Sequence, residues 1–275
     1  MNRLFVIAVA SEKGGVGKTT IAINLAVYLK ALREDLPVTI ASFDNHFSVD
    51  QMFALGPPAT KNIAQLFEDE PPSELIRLGQ YGVQYVASSR RLKPPNQPPH
   101  WLRQRLGSLG LTGLLILDTR PILDWFSEAA LLAADLVIAP VKDRAALVNT
   151  AALHEVMAAA GRCERLWLLP SLVDTRARLN AEVRVHEFLA YAARERDYQV
   201  MDLFISKSPK VESLASGFSS TVRPVLTHAR KTAVHPQFKR LAQDVLKRFD
   251  AALALSLIHI SEPTRQESRS RMPSS

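Results

Sequence analysis

Short apolar runs with little polar interruption recur along the chain, at residues 4–9, 38–43, 114–117, 136–139 and 166–169. A strand with one wet face would alternate apolar and polar positions, and these runs do not. They suit strands buried on both faces, the pattern of a parallel sheet covered by helices. The stretch after the first run, Ile21-Ala22-Ile23-Asn24-Leu25-Ala26-Val27-Tyr28-Leu29, is long enough for a helix and holds no breaker. The pattern predicts an α/β fold, a doubly wound, mostly parallel sheet with helices on both faces, as one domain over residues 1–253. Asp44, Asp118, Pro140 and Pro170 follow the later runs, at the carboxyl edge where open sheets of this kind bind ligands.

Between the second and third runs the pattern is less regular. Residues 63–67 read as a short helix and residues 83–86 as a strand. Lys93-Pro94-Pro95-Asn96-Gln97-Pro98-Pro99 can be neither, because proline lacks a backbone donor and favours extended geometry. It is expected as a surface connector ahead of a helix near residues 101–109. Residues 236–252 carry Phe238, Leu241, Val245, Leu246 and Phe249 on one helical face, with Lys239, Arg240, Lys247 and Arg248 beside it. That face is expected to pack on the sheet, and lying on a membrane surface is the alternative. Residues 254–275 lose periodicity, resemble translated adaptor or vector sequence, and are expected to be a poorly ordered tail.

With 275 residues, 47% of them hydrophobic and 22% charged, the chain can bury a full core. No stretch reaches the roughly eighteen apolar residues that a membrane span needs. The glycine–lysine turn after the first run is wrong for a signal-peptide cleavage site. Cys163 is the single cysteine, which excludes an internal disulfide and an all-cysteine metal site and fits a reducing cytoplasm. Charge changes the picture more. The net charge is +7, and it is concentrated: residues 203–249 hold nine Lys/Arg against Glu212 and Asp244, whereas residues 1–202 hold 22 of each sign. One late basic segment on an otherwise balanced chain points to a polyanionic partner.

Candidate chemistry begins between the first strand and the first helix, at Ser11-Glu12-Lys13-Gly14-Gly15-Val16-Gly17-Lys18-Thr19-Thr20. Strand, glycine-rich turn, Lys-Thr and helix form the context of a phosphate-binding loop. Glycines let successive N–H groups turn inward onto phosphate oxygens, and the helix adds the positive end of its dipole. In this reading Gly14, Gly15, Val16, Gly17, Lys18, Thr19 and Thr20 bind nucleotide. Lys18 reaches the β- and γ-phosphates, and the Thr19 hydroxyl ligates magnesium. Asp118 closes an apolar strand and is expected to hold the magnesium through its water shell. Asp44 closes another and would face the γ-phosphate, orienting the attacking water or taking its proton. Lys18 and Asp44 are therefore catalytic candidates. Pro170 marks a strand end expected to meet the adenine.

Lys13-Gly14-Gly15-Val16-Gly17-Lys18-Thr19 resembles the deviant Walker A motif of the ParA/MinD family of partitioning and positioning ATPases. The Asp44 region is similar to that family's second motif, and Leu117-Asp118-Thr119-Arg120-Pro121 to its Walker B segment. Residues 173–183 and Phe204-Ile205-Ser206-Lys207-Ser208, followed by Gly217 and Pro224-Val225-Leu226, resemble the ParA branch. The resemblance covers about residues 3–250. It implies a P-loop ATPase using ATP and Mg2+, with two ATP molecules in the interface of a sandwich homodimer. Lys13 would reach across to the partner's nucleotide, which adds it to the nucleotide-binding and catalytic candidates. A dimer favoured only in the ATP state is a switch that hydrolysis reverses. Three residues depart from the family pattern: Ser42 and Asn45 in the second motif, and Arg120 after the Walker B aspartate. They bear on hydrolysis, and turnover is expected to be slow.

The resemblance also implies sequence-independent DNA binding by basic residues of the C-terminal third. Lys207, Lys210, Arg230 and Lys231 fall in the corresponding segments, and phosphate contacts of this kind are salt-sensitive. The expected partners are a second copy, non-specific DNA and a centromere-binding or other stimulating protein, with a plasmid, chromosome or other cargo. The expected location is the cytoplasm, at the nucleoid where DNA is bound. A MinD-like membrane-associated ATPase and a nucleotide-gated interaction protein with negligible hydrolysis are the alternatives. Iron–sulfur relatives are disfavoured, since one cysteine per chain gives a dimer only two of four ligands.

Overall fold

The structure, a computed structural model, describes residues 3–68, 75–178, 183–215 and 222–261. Residues 179–182 and Gly217 of the family-like segments, and residues 262–275 of the tail, lie outside the described residues. The apolar runs form β1 (Leu4–Val9), β2 (Val38–Ser42), β5 (Gly113–Asp118), β6 (Leu136–Val141) and β7 (Leu166–Val173). Short strands β3 (Ile76–Leu78), β4 (Gln84–Val86), β8 (Gln199–Val200) and β9 (Ile205–Ser206) extend the sheet. Its order is β3-β4-β2-β5-β1-β6-β7-β8, with β9 beside β7 beyond the end of β8. All pairs are parallel except β3–β4, an antiparallel edge that the sequence pattern did not announce.

Helices α1 (Lys18–Leu32), α2 (Ser48–Phe53), α3 (Trp101–Ser108), α4 (Trp125–Ala133), α5 (Arg144–Ala159), α6 (Val185–Arg194), α7 (Pro209–Ala215), α8 (Val225–His228) and α9 (Val234–Ser261) complete the chain. Residues 63–67 form a short 3-10 helix whose start is closed by a capping box between Asn62 and Gln65. The strands feed two separate cores. Phe5, Ile7, Ile40 and Ile116 face α1 and α9, while Val6, Ala8, Leu115 and Leu117 face α3, α4, α5 and α6. Burial on both faces explains why these strands read as continuous apolar runs.

Helix α9 packs along α1 with Phe238, Leu241, Val245 and Phe249 buried. Tyr28 stacks on Phe238 with ring centroids 5.8 Å apart, and its hydroxyl lies 2.6 Å from Nδ1 of His235. Each large apolar side chain buried here stabilises the fold by roughly 1.5–3 kcal/mol. The apolar face of the basic amphipathic helix is therefore spent on the core. The helix also runs on to Ser261, past the expected end near residue 252 and into the segment expected to lose order. Residues 251–260 are mostly alanine and leucine, and the next proline is Pro263, so nothing local stops the helix earlier.

Two strands run past the prolines that were read as their ends. Pro140 lies inside β6 and Pro170 inside β7. Each lacks an N–H where no neighbour claims it. The carbonyl of Ile138 accepts from Ala10 on the β1 side, and pairing with β1 stops there, so Pro140 faces an open stretch. The carbonyl of Leu168 accepts from Met201 on the other side of β7, and Pro170 faces the gap between β8 and β9.

Candidate nucleotide site

The turn from β1 into α1 has the backbone that its glycines allow. Gly15 and Gly17 sit at φ values of 68° and 90°, in the left-handed region that a side chain would resist. Ser171 on β7 donates its hydroxyl to the carbonyl of Val16 at 2.9 Å, tying the loop to a strand two places along the sheet from β1. Lys18 is buried, and its ammonium donates to the carbonyl of Lys13 at 3.1 Å, folding back under the loop. Burial lowers its pKa, against the opposing pull of the Asp118 and Asp44 charges.

Lys13 does something different. Its ammonium leaves the loop and meets both carboxylate oxygens of Asp143, at 2.7 and 2.8 Å. Asp143 also caps α5 by accepting from the N–H of Ala146 at 2.8 Å. Burial alone would raise the Asp143 pKa, but the hydrogen bonds from Lys13 and Ala146 and the charges of Lys13 and Lys142 outweigh it, and the carboxyl is held below its ordinary range.

Strand register brings the acidic groups together. Asp118 pairs with Val9 of β1 on one side and Ser42 of β2 on the other. It is fully buried. Its Oδ2 accepts from Thr19 Oγ1 at 2.9 Å and from Ser42 Oγ at 3.0 Å, while Oδ1 is buried with no hydrogen-bond partner. Burial pushes the carboxyl up to about 7, against the lowering effect of those two hydrogen bonds. Asp44 follows β2, with its carboxylate accepting from the N–H of Asn45 at 2.7 Å and its own N–H donating to Ser42 Oγ at 3.1 Å. Arg120, one of the departures noted above, has a structural use: its Nε donates to the carbonyl of Phe43 at 2.7 Å, and it pairs with Asp124 at 3.0 Å. The loop after β5 is thereby tied to the end of β2.

A cavity of about 300 Å³ opens beside the loop, lined by Gly17, Thr20, Ser171, Leu172, Ser206 and Val211 among others. Leu172 is a non-glycine residue at φ 51°, at the point where the register of β7 with β9 shifts. Such a conformation costs of order 1–3 kcal/mol and persists only where its surroundings hold it. Pro170 does not line the cavity, being paired with Val141 inside the sheet; the residues that do are the next two along the same strand.

The structure thus unites Lys18, Thr19, Asp44 and Asp118 in one cluster and turns Lys13 outward from it. It places the basic candidates apart from that cluster. Lys207 and Lys210 are exposed at the end of β9 and in α7, and Arg230 and Lys231 are exposed between α8 and α9. None of the four has a carboxylate partner among the described residues, whereas Arg240 pairs with Asp202 and Arg248 with Asp244. Sequence reasoning missed Asp143, although it too follows a strand and obeys the same strand-end rule that found Asp44 and Asp118. It noted Ser42 only as a missing acid, and it read Ser206 only as part of a family-like segment.

A parallel sheet with helices on both faces, a left-handed glycine loop feeding a helix, and a buried aspartate against the Lys-Thr pair define a nucleotide-binding domain of the P-loop class. Residues 7–220 match the CobQ/CobB/MinD/ParA nucleotide-binding domain family, and the chain belongs to that family. The chromosome-partitioning ATPase Soj of Thermus thermophilus is 30% identical over 258 residues, a match covering 90% of this chain and 97% of that protein. Among solved structures, cobyrinic acid a,c-diamide synthase of Mycobacterium smegmatis with bound ADP and magnesium superposes with a TM-score of 0.69 at 18% identity, over 91% of this chain and 97% of the other. A plasmid partition protein of Borrelia burgdorferi bound to AMPPNP gives 0.67 at 21% identity, over 91% and 100%.

Proposed function

We propose that this protein is an ATP-dependent dimerisation switch with slow ATPase activity, which binds DNA without sequence preference and partitions or positions a plasmid, chromosome or other cargo. The observation that carries the reading is the division between the two loop lysines. Lys18 folds under the loop, where phosphates would replace the Lys13 carbonyl as its partner. Lys13 points away from that position, half-buried and held by Asp143, and in this reading its use lies outside its own nucleotide site. For Lys13 to reach a second subunit, the pair with Asp143 must open.

The nucleotide is ATP in this reading because the similar solved structures hold ADP or AMPPNP and Soj is an ATPase; the cavity beside the phosphate loop has room for a base. Magnesium fits the donor set. Thr19 Oγ1 and the unpartnered Oδ1 of Asp118 are hard oxygens on adjacent strand and helix ends, the type magnesium prefers. When bound, the metal supplies charge neutralisation for the β- and γ-phosphates. In this reading Asp44 orients or deprotonates the attacking water. Its charge already acts on Lys18 and Asp118.

The segment that carries Lys207 and Lys210 also walls the cavity through Ser206, Ser208 and Val211. Nucleotide and the proposed DNA contacts thus share one stretch of chain. The membrane alternative required the apolar face of α9, which is buried against α1, and among the described residues no helix is long and apolar enough to cross a membrane.

Light scattering with ATP and with ADP tests the switch. The wild type is expected to dimerise with ATP only, and Lys13→Ala to keep most nucleotide affinity yet remain monomeric. An ATP-dependent dimer of Lys13→Ala would remove the cross-interface role. For DNA, replacing Lys207, Lys210, Arg230 and Lys231 together is expected to weaken binding at low salt and to flatten the dependence of log K on log salt by up to about 3–4 units, roughly 0.9 per lost phosphate contact. An unchanged slope in filter binding or anisotropy would move the DNA surface elsewhere.

A further inference from the structure

We propose that Ser42 is a positioning residue: it orients Asp118 toward magnesium and fastens the Asp44 turn to that carboxylate, in a way an aspartate at the same position could not. The inference rests on the ATP–magnesium reading above. Ser42 and Asp118 are direct partners across the parallel pair β2–β5, and both are buried. A serine hydroxyl has one proton to donate and lone pairs with which to accept. Here the proton goes to Asp118 Oδ2 at 3.0 Å, and the oxygen accepts the N–H of Asp44 at 3.1 Å. One side chain therefore joins the metal-binding carboxylate to the residue that faces the water.

An ionised aspartate at position 42 could still accept the Asp44 N–H. It would have no proton for Asp118, and it would set a second carboxylate beside one that burial already disfavours in its charged form. With serine, Oδ2 receives two donors, from Thr19 and Ser42, and this fixes the carboxylate so that Oδ1 is the oxygen left over. With only Thr19 donating, a single hydrogen bond would not hold the carboxylate plane. The departure from the family pattern at Ser42 is thus a change in how the site is held together, from acid to hydroxyl.

Magnesium titrations of mant-ATP binding, followed by fluorescence on the full chain, test this. Ser42→Val and Ser42→Thr have nearly the same shape and differ in the hydroxyl. Ser42→Val is expected to need about tenfold more magnesium for half-maximal binding, the loss of roughly one charge-assisted hydrogen bond, while Ser42→Thr stays within about twofold of wild type. Binding measured in EDTA is expected to be equal in all three, which a merely structural defect would not allow. Ser42→Ala repeats the test without added bulk if Ser42→Val does not fold. A wild-type magnesium requirement in Ser42→Val, or equal shifts in the Val and Thr variants, would overturn the role of Ser42 alone. Absence of mant-ATP binding by the wild type would instead overturn the nucleotide reading, and this role with it.

Discussion

Lys18→Ala is expected to reduce affinity for ATP by between about 30-fold and several thousandfold while leaving the folded state intact. The side chain is buried, and among the described residues its hydrogen bond is to the Lys13 carbonyl. Burial depresses its pKa, and the carboxylates of Asp118 and Asp44 only partly offset that cost. In the proposed reading, a polyphosphate supplies the remaining counter-charge. Truncating one member of a buried, hydrogen-bonded charge pair costs about 2–5 kcal/mol, which sets the range. The folded protein loses less, because the alanine variant no longer buries an ammonium. Calorimetric titration with ATP and magnesium reads the affinity, and a thermal melt reads the fold. A loss below tenfold in a variant that melts like wild type would show that another group meets the phosphates.

The sequence made the central layer legible because five strands lie in the sheet's buried interior and advertise themselves as unbroken apolar runs. It made the phosphate loop legible because its chemistry is contiguous: glycines, Lys18 and Thr19 sit within one turn of chain. Asp118 and Asp44 stand out by a positional rule, that polar residues just past a buried strand face the ligand edge. What stayed hidden depends on distant partners. The Ser171–Val16 bond joins residues 155 apart, and Lys13 meets Asp143 across 130 residues. No local pattern encodes such pairs. The prolines misled because a proline normally ends a strand, and only the neighbouring strands show that its missing donor faces empty space. The far end of α9 misled for the opposite reason. Helix propensity persists there after the amphipathic pattern has gone, with Leu255 largely exposed.

The two lysines of the loop and the one serine beside it share a logic. Each is explained by what it leaves unsatisfied. Lys18 lacks a full counter-charge, Lys13 is held by a carboxylate that also has a helix to cap, and Ser42 saturates one oxygen of Asp118 so that the other remains bare. In the proposed reading, this arrangement gains most from a ligand that brings phosphate and magnesium together.

That arrangement has a thermodynamic signature in Asp118→Asn. Burial raises the Asp118 carboxyl from 3.8 to about 7. The unfolded chain releases this proton near its ordinary value, so between those two pH values the folded state binds more protons than the unfolded state. Stability from this group is therefore fully present below about pH 4 and is lost as pH rises through about 7. The loss approaches about 4 kcal/mol at the upper end, one pKa unit being worth about 1.4 kcal/mol. An asparagine does not titrate, and its carbonyl can still accept from Thr19 and Ser42. Asp118→Asn is thus expected to abolish this decline and to be more stable than wild type at pH 8, by somewhat less than the full amount because its amide is left unpaired. Toward pH 4, where the wild-type carboxyl is protonated in the folded state and becomes so in the unfolded state, the variant is expected to fall below wild type by that amide cost alone. Urea unfolding in EDTA across pH 4–8 measures the difference curve, in which contributions common to both proteins cancel, including the opposite-signed one of Asp143. Parallel curves would mean that Asp118 is ionised throughout in the free protein. The same variant is expected to lose magnesium-dependent nucleotide binding, so the residue expected to weaken the fold at neutral pH is also the one proposed to hold the magnesium.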